Sequence, residues 1–416
     1  MPNNQSTAMS VFEDYKEDLQ SRKEEVLSLQ DYLLLCKEDK SAYATAAERL
    51  LKAIGEPVQI DTHSDPQLSR IFDNAKITRY PAFNDFYGAE DTVMKVVSHL
   101  RAASQGLEES KQVLYLLGPV GGGKSSVAER LKELMEKEPF YALQYTDEDG
   151  RKTISPINEN PLALIREVFK AKGKDALLES EFGIDKRRLK VPMSPWAIKR
   201  LEECEGDLSR FSVVKRYPSI SRQIGISKTE PGDENNQDIS ALVGKVDIRK
   251  LEEYEQHDTD AYSYSGGLCQ GNQGIMEFVE MFKAPIKVLH PLLTATQEGN
   301  FKGTESIGNI PFDGIILAHS NESEWETFRN NKNNEAFLDR VNIVKVPYTL
   351  RVSEEAKIYE KMLAGSSLSK APIAPQTIQM LAEWSVLTRL EDVPDNSSLY
   401  TKMKVYDGQD YRDIDP

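Results

Sequence analysis

The residues best suited to chemistry lie in one glycine-rich run, where eight consecutive positions match the pattern G-x-x-x-x-G-K-[ST]. The run consists of Gly118, Pro119, Val120, Gly121, Gly122, Gly123, Lys124 and Ser125, and Ser126 follows it directly. Glycines here let backbone N–H groups close around phosphate oxygens, because no Cβ is in the way and positive φ is accessible. In such a loop the lysine reaches the β- and γ-phosphates and the serine hydroxyl binds Mg²⁺. The run therefore predicts a P-loop with ATP and Mg²⁺ as cofactors.

Hydrolysis of ATP also requires carboxylates, and the best candidates lie in the run 274–280. Glu280 comes just after an apolar pattern of strand length, at the end of a parallel sheet where ligands collect. We expect Glu280 to polarise the attacking water and to contribute to the magnesium site. Glu277 lies inside the strand pattern, an unusual place for a charge, and is a second candidate ligand for Mg²⁺. The alternative is a surface glutamate at the start of a helix.

Three further polar residues have positions that suit nucleotide chemistry. Asn321 follows the apolar run 315–318, and from there its amide can hydrogen-bond the attacking water and a γ-phosphate oxygen. The alternative is that Asn321 is a turn residue, a role that asparagine favours. Arg340 follows a short helix-like segment, and a guanidinium there can reach the γ-phosphate of a neighbouring subunit. Arg389 lies on a late helix, from which a lid residue contacts bound nucleotide. We predict Asn321 and Arg340 as catalytic and Arg389 as cofactor-binding, with solvated surface arginines as the alternative.

The elements that position these residues follow from the pattern of apolar residues. Residues 113–117 read as a buried strand and residues 126–136 as a helix, which is the strand–loop–helix setting that a P-loop requires. Apolar strand patterns return at 274–281 and 314–318. Together they indicate an α/β fold with a parallel sheet flanked by helices.

The chain divides into three predicted parts. Residues 1–62 form an N-terminal helical segment, because apolar residues recur there at helical spacing. Residues 63–345 form the α/β core, interrupted at about 146–265 by an insertion of mainly helical character with a polar loop at 230–238. Residues 346–416 form a helical lid and a C-terminal tail.

Composition excludes several classes of protein. A hydrophobic fraction of 39% and a charged fraction of 29% over 416 residues are ordinary for a globular chain. No apolar run is long enough to span a membrane, and the polar N-terminus is not a secretory signal, so we expect a cytoplasmic protein. The net charge of −15 makes nucleic acid an unlikely partner, and the basic strip at 186–190 is explained by a solvated face. The three cysteines fit neither a disulfide framework nor a cysteine-built metal site, and the five scattered histidines fit no Ser-His-Asp catalytic pattern.

Taken in order, these features resemble the AAA+ ATPase plan, and most closely the branch of magnesium chelatases and MCM helicases. The strand at 274–280, the helix and hairpin at 291–301 and the Leu338-Asp339-Arg340 sequence are similar to elements of that branch. Residues 86–90 resemble the segment that cups adenine in AAA+ proteins. The resemblance implies a ring-forming homo-oligomer, with a hexamer as one arrangement, in which Arg340 acts on the neighbour's site.

More specific strings resemble the bacterial PrkA family of so-called serine protein kinases, and the likeness covers nearly the whole chain. The strings lie at residues 32–37, 72–75, 261–268 and 277–283. Members of that family are longer and carry a C-terminal kinase-like domain, so the resemblance implies that this chain is the N-terminal ATPase part. One departure is that AAA+ proteins usually end the second strand on Asp-Glu, where this chain has Val279-Glu280. Either Glu277 substitutes for the aspartate, or Mg²⁺ depends on Ser125 and water alone and hydrolysis is slow.

Two other functions stay open at this point. A protein serine kinase would use the same P-loop to pass a phosphoryl group to a protein hydroxyl, although the sequence holds no H-R-D-x-x-x-x-N-like catalytic loop. A remodeller coupled to proteolysis or to a binding partner would use ATP to move loops rather than to modify a substrate. The substrate or partner protein is not identified by the sequence.

Overall fold

The computed structural model describes residues 25–230, 238–305, 307–391 and 398–410. Its strands, β1 to β15 in chain order, are Val26–Ser28, Val58–Asp61, Lys76–Arg79, Val113–Leu117, Phe140–Thr146, Lys152–Ile154, Phe211–Arg216, Ile226–Thr229, Lys245–Val246, Tyr262–Ser263, Ile275–Val279, Asn300–Lys302, Asn309–Pro311, Ile315–Ser320 and Val341–Lys345. Its α-helices, α1 to α16 in chain order, are Leu29–Glu38, Ala46–Ile54, Pro66–Ile71, Glu90–Ser104, Lys124–Met135, Leu162–Ala171, Ala176–Ser180, Pro195–Glu203, Ser240–Val243, Gly267–Gln270, Ile286–Glu298, Glu322–Arg329, Glu335–Leu338, Val352–Ala364, Thr377–Arg389 and Leu399–Tyr406. The predictions for residues 1–24, for most of the polar loop at 230–238 and for 411–416 lie outside the described residues.

Five strands form a parallel sheet in the order β15-β4-β14-β11-β8. β4 is buried at every position between two parallel neighbours, as its uninterrupted apolar sequence predicts. Because the strands are parallel, their carboxyl ends meet at one edge, and the loops after β4, β11 and β14 lie side by side there. The predicted α/β class with a parallel sheet flanked by helices is confirmed.

Alternate residues of these strands build two hydrophobic cores, because neighbours along a strand point to opposite faces. On one face Leu114 and Leu317 pack with apolar residues of α2, α4 and α5. On the other face Tyr115 and Phe278 pack with apolar residues of α9 to α13. Covering both faces excludes water from the sheet and leaves its carboxyl edge as the place where polar loops converge.

A second sheet is antiparallel and has the order β1-β7-β5-β6. It packs with α1, α6 and α7 through one cluster and with α8 through another. The sequence predicts that residues 146–265 are mainly helical, and besides helices α6 to α9 the structure has strands there that join both sheets. Its β8 is the edge strand of the parallel sheet, and three of its four residues, Ser227, Lys228 and Thr229, are polar, so no apolar run marks it.

The two ends of the chain differ in how they join the rest. The N-terminal segment is not purely helical, because β1 pairs with β7 while α2 packs against the parallel sheet. The C-terminal helices α14 to α16 share a small core of their own around Val352, Ala382, Val386 and Met403. Division of the chain at residues 62 and 345 stays a prediction. Within the described ranges, no helix is both long and apolar enough to cross a membrane.

Candidate nucleotide-binding site

The glycine-rich run forms the turn between β4 and α5. The helix begins at Lys124, and its cap residue Gly123 has a φ of 93°, in the left-handed region that glycine tolerates. Gly123 also accepts a hydrogen bond of 3.0 Å from the amide of Val127. The helix N-terminus therefore faces the carboxyl edge of the sheet, where its free N–H groups and dipole favour an anion.

Close backbone contacts explain the glycine at position 118. A Cβ there would lie 2.1 Å from the carbonyl oxygen of Val346, which follows β15. A Cβ on Gly122 would lie 2.9 Å from the same oxygen. In contrast, a Cβ on Gly121 or Gly123 would meet no atom within 4 Å apart from those of adjacent residues. The loop is thus backed by the β15 end at Gly118 and Gly122 and has open space at Gly121 and Gly123.

Lys124 is buried among oxygen atoms of the loop. Its Nζ donates to the carbonyl oxygens of Gly118 and Pro119 at 2.7 Å each, and lies 3.4 Å from Oδ1 of Asn321. Burial lowers the pKa of Lys124, while the negative charges of Glu324 and Glu322 act in the opposite direction. Ser125 and Ser126, by contrast, are exposed at the start of α5. The structure brings Asn321 to the predicted P-loop lysine across 197 residues of sequence.

Glu280 lies just past β11, where the sequence pattern puts it. Its backbone is left-handed, with φ 49° and ψ 42°, which is uncommon for a residue with a Cβ and is often found at functional sites. Its amide donates to the carbonyl of His319 at 2.8 Å, so the turn is joined to the end of β14. Its side chain is 40% exposed and accepts a hydrogen bond of 2.8 Å from Lys283. Sequence reasoning did not include Lys283, and its three-residue spacing from Glu280 is the signal that suggests it.

Glu277 has different surroundings. Its side chain is 1% exposed, with Oε2 at 2.6 Å from Lys132 Nζ and Oε1 at 3.1 Å from His319 Nε2. Burial alone would raise the pKa of Glu277, but contacts with His319 and the charge of Lys132 hold it below the usual range. Both oxygens are thus engaged, one of them by Lys132, which lies two helical turns from Lys124, a rise of about 12 Å along α5. These contacts do not support the expectation that Glu277 replaces the missing magnesium-shell aspartate.

The two predicted arginines lie far apart in the structure. Arg340 precedes β15, and its carbonyl accepts from the amide of Val113, so it lies at the amino end of the sheet. Arg389 lies at the end of α15, where NH1 and NH2 bind the two carboxylate oxygens of Glu355 at 2.9 and 2.7 Å.

A tyrosine that sequence reasoning missed connects Arg389 to the P-loop. The guanidinium of Arg389 stacks on the ring of Tyr348, with 4.5 Å from its central carbon to the ring centroid. The hydroxyl of Tyr348 donates to the carbonyl of Val120 at the exposed tip of the loop. NH1 of Arg389 also donates to the Thr349 carbonyl at 3.1 Å. The predicted lid arginine therefore reaches the loop through Tyr348 rather than directly.

The segment that resembles an adenine cup lines a small cavity of about 90 Å³. Phe86 and Tyr87 line one side, and Glu354 and Lys357 of α14 line another. The segment lies against the lid connection, since a Cβ on Gly88 would fall 2.5 Å from Oγ1 of Thr349. The cavity thus lies between this segment and α14.

The chain is similar to known proteins over most of its length. The model of the PrkA AAA domain matches residues 27–398 of this chain. The chain belongs to the PrkA AAA domain family. This PrkA AAA domain is 62% identical over 408 residues to "Serine/threonine kinase YeaG" of Escherichia coli K12, covering 98% of this chain and 62% of that protein. It is 36% identical over 409 residues to "ATP-dependent protease PrkA" of Bacillus subtilis 168, covering 96% of this chain and 60% of that protein.

The PrkA AAA domain described here thus spans about three-fifths of the length of the curated relatives that it matches. Among solved structures, the complex between subunits BchI and BchD of magnesium chelatase is similar with a TM-score of 0.39 and 14% identity, covering 74% of this chain and 73% of that chain. That similarity is too low to support an inference. The family membership confirms the resemblance seen in the sequence.

Proposed function

We propose that this PrkA AAA domain binds ATP with Mg²⁺ at the carboxyl edge of its parallel sheet and hydrolyses the nucleotide. The observation that carries the proposal is that three polar residues from separate elements lie at this edge of the sheet. Lys124 begins α5, Asn321 follows β14 with its Oδ1 3.4 Å from Lys124 Nζ, and Glu280 follows β11, hydrogen-bonded through its amide to the β14 end. An ammonium, an amide and a carboxylate at a helix N-terminus suit phosphate binding and activation of water.

The P-loop fits a polyphosphate chain. There is open space beside the loop at Gly121 and Gly123, and the N-terminus of α5 offers free N–H groups to an anion. In this proposal Lys124 turns from the loop carbonyls to the β- and γ-phosphates, and the exposed Ser125 hydroxyl holds Mg²⁺. When bound, Mg²⁺ neutralises the negative charge of the phosphates.

Glu280 would orient the attacking water and Asn321 would bind the γ-phosphate. Two features support a role for Glu280: its side chain is partly exposed at the sheet edge, and its left-handed backbone turns it away from the strand direction. Arg389 would act on the nucleotide indirectly, through the lid and Tyr348. Glu277 is not carried into the proposal as a magnesium ligand, because Lys132 and His319 engage both its oxygens.

The test is calorimetric titration of the whole chain with ATP and Mg²⁺. Lys124→Ala removes the charge that would neutralise the β- and γ-phosphates, so we expect nucleotide affinity to fall by about 100-fold or more, the loss that corresponds to ~3 kcal/mol. Lys137→Ala, an exposed lysine just beyond the same helix, is the matched control and should leave affinity unchanged. Equal nucleotide affinity in the Lys124→Ala chain and in the parent would refute the P-loop assignment.

Protein serine phosphorylation is a second candidate, favoured by the name of the Escherichia coli relative at 62% identity. The name of the Bacillus subtilis relative favours a third, ATP-dependent remodelling linked to proteolysis. The three candidates differ in the fate of the γ-phosphate. With γ-labelled ATP, a water-directed ATPase or remodeller releases labelled inorganic phosphate, whereas a kinase leaves the label on phosphoserine of the chain or of an added protein mixture. We expect inorganic phosphate from this chain.

A further inference from the structure

The end of β11 lacks a carboxylate where the resemblance to AAA+ proteins leads one to expect an aspartate. Val279 occupies that position, opposite His319 on β14, and a valine offers no ligand atom to a cation. The neighbouring strand end supplies acidic residues instead. α12 begins directly after Asn321 and carries Glu322 and Glu324 in its first turn. A carboxylate from α12 is therefore available at the same edge of the sheet.

Glu324 is the less exposed member of this pair. Its side chain is 16% exposed, whereas Glu322 is exposed. Glu324 Oε1 lies 3.5 Å from Lys283 Nζ, and that lysine donates to Glu280 at 2.8 Å. Glu324 Oε2 is buried and has no hydrogen-bond partner among the described residues. A buried carboxylate oxygen without a partner is costly, which indicates that a cationic or hydrogen-bonding ligand belongs there.

The charge of Glu324 is felt at the P-loop. Burial lowers the pKa of Lys124, and Glu324 is the first of the two carboxylates that oppose this effect. Burial likewise raises the pKa of Tyr115, with a further contribution from Glu324, and Tyr115 lies on β4 two residues before its end. The charge of Glu324 thus acts both on the strand that precedes the P-loop and on the P-loop lysine.

We propose that Glu324 supplies the carboxylate for Mg²⁺ that the β11 end lacks. The proposal rests on the proposed ATP site and adds a residue to it. Carboxylate oxygen is a preferred ligand type for Mg²⁺, and a nucleotide-bound ion takes most of its remaining ligands from phosphate and water. This agrees with the absence, among the described residues, of any group of three or more acidic, histidine or cysteine side chains able to hold a metal alone. Ser125 and one carboxylate are then sufficient protein ligands.

The rival explanation is that Glu324 only holds Lys283 beside Glu280. The experiment therefore measures the affinity of Mn²⁺, a paramagnetic substitute for Mg²⁺, by electron paramagnetic resonance in the presence of ADP and the whole chain. Glu324→Gln should lower Mn²⁺ affinity by about 10- to 100-fold and leave metal-free ADP affinity unchanged. Glu322→Gln removes the same charge from the same helical turn and should change Mn²⁺ affinity by about twofold at most.

Two further variants separate the proposal from its rival. Val279→Asp in the Glu324→Gln chain places a carboxylate at the end of β11 and should restore Mn²⁺ affinity. Restored affinity would also show that the double variant is folded. Lys283→Gln should leave Mn²⁺ affinity equal or higher, whereas the rival predicts the same loss as in Glu324→Gln. Unchanged Mn²⁺ affinity in Glu324→Gln, in a chain that binds ADP, would overturn this proposal alone. A parent chain that binds no ADP would instead overturn the proposed function.

Discussion

Glu277 lies within β11 and Glu280 lies just past its end, and their surroundings separate their roles. Glu277 is enclosed by Lys132 and His319, and its charge is balanced inside the sheet. Glu280 is 40% exposed at the edge, where its side chain can move between Lys283 and a bound ligand. Removing one member of a buried ion pair typically costs about 3–5 kcal/mol of stability. We therefore expect substitution at Glu277 to affect the fold and substitution at Glu280 to affect the chemistry.

The first prediction at this scale concerns Glu280→Gln. The substitution keeps the shape of the side chain but removes the base that would polarise water, so turnover should fall by about 10²- to 10⁴-fold while ATP affinity stays near that of the parent. Steady-state release of inorganic phosphate and calorimetric titration measure the two quantities. Glu298→Gln, an exposed glutamate at the end of α11, is the control and should have parental turnover. If Glu280→Gln hydrolyses ATP at the parental rate, β11 has been assigned the wrong role.

Among the elements, the start of α8 depends on a buried carboxylate. Ser194 caps the helix through its hydroxyl, which accepts from the amide of Ala197 at 3.1 Å. Glu159, itself fully buried, accepts from the Ser194 amide at 2.7 Å and from its hydroxyl. Burial raises the pKa of Glu159 to about 7, although the hydrogen bonds from Ser194 act in the opposite direction. The folded chain therefore holds a proton at Glu159 that the unfolded chain releases at lower pH.

The prediction for this element is a dependence of stability on pH. Because the folded-state pKa is raised, the contribution of Glu159 to stability is complete below about pH 4.5 and is lost as pH rises through about 7. Glu159→Gln cannot ionise, so its unfolding free energy relative to the parent should increase by on the order of 3 kcal/mol between pH 5 and pH 8.5. Urea unfolding followed by circular dichroism measures this difference. The exposed Glu148→Gln should show no such trend, and an equal pH dependence of parent and Glu159→Gln would contradict the prediction.

Across the whole molecule, the position of Arg340 bears on assembly. It lies at the amino end of β15, whereas the P-loop follows the carboxyl end of the adjacent β4. The five residues of β15 separate the two ends by about 16 Å, so Arg340 is poorly placed for the nucleotide of its own subunit. A ring of subunits is the arrangement in which Arg340 would meet the γ-phosphate of a neighbour, and it stays a proposal.

The prediction at this scale uses mixed subunits. Arg340→Ala should leave ATP binding nearly intact while turnover falls by about 10³-fold or more, because a guanidinium supplied by the neighbour meets charge that develops only in the transition state. Mixing Arg340→Ala with Lys124→Ala should restore part of the turnover if each subunit completes the site of its neighbour. Arg329→Ala, at an exposed arginine of α12, is the control. A chain that is monomeric at high concentration in ATP and fully active would exclude this role.

The sequence by itself determined the P-loop and the strands that border it. β4 was predicted at its observed bounds, α5 begins two residues earlier than expected, and Glu280 and Asn321 follow β11 and β14 as predicted. These features are local: an uninterrupted apolar run, a glycine loop and a helix each depend on neighbouring residues only. The same patterns indicated the α/β class, and the family resemblance agreed with it.

Only the tertiary structure decided which charges meet. Glu277 pairs with Lys132 across 145 residues and with His319 across 42, so no local pattern could separate a magnesium ligand from an internal ion pair. β8 joins the parallel sheet although its sequence is mostly polar, and the hydroxyl of its buried Ser227 donates to the carbonyl of Gly267, 40 residues further along the chain. β1 pairs with β7 across nearly 190 residues, and the contact of Tyr348 with Val120 spans 228. Pairings at such distances depend on chain packing, which sequence periodicity does not encode.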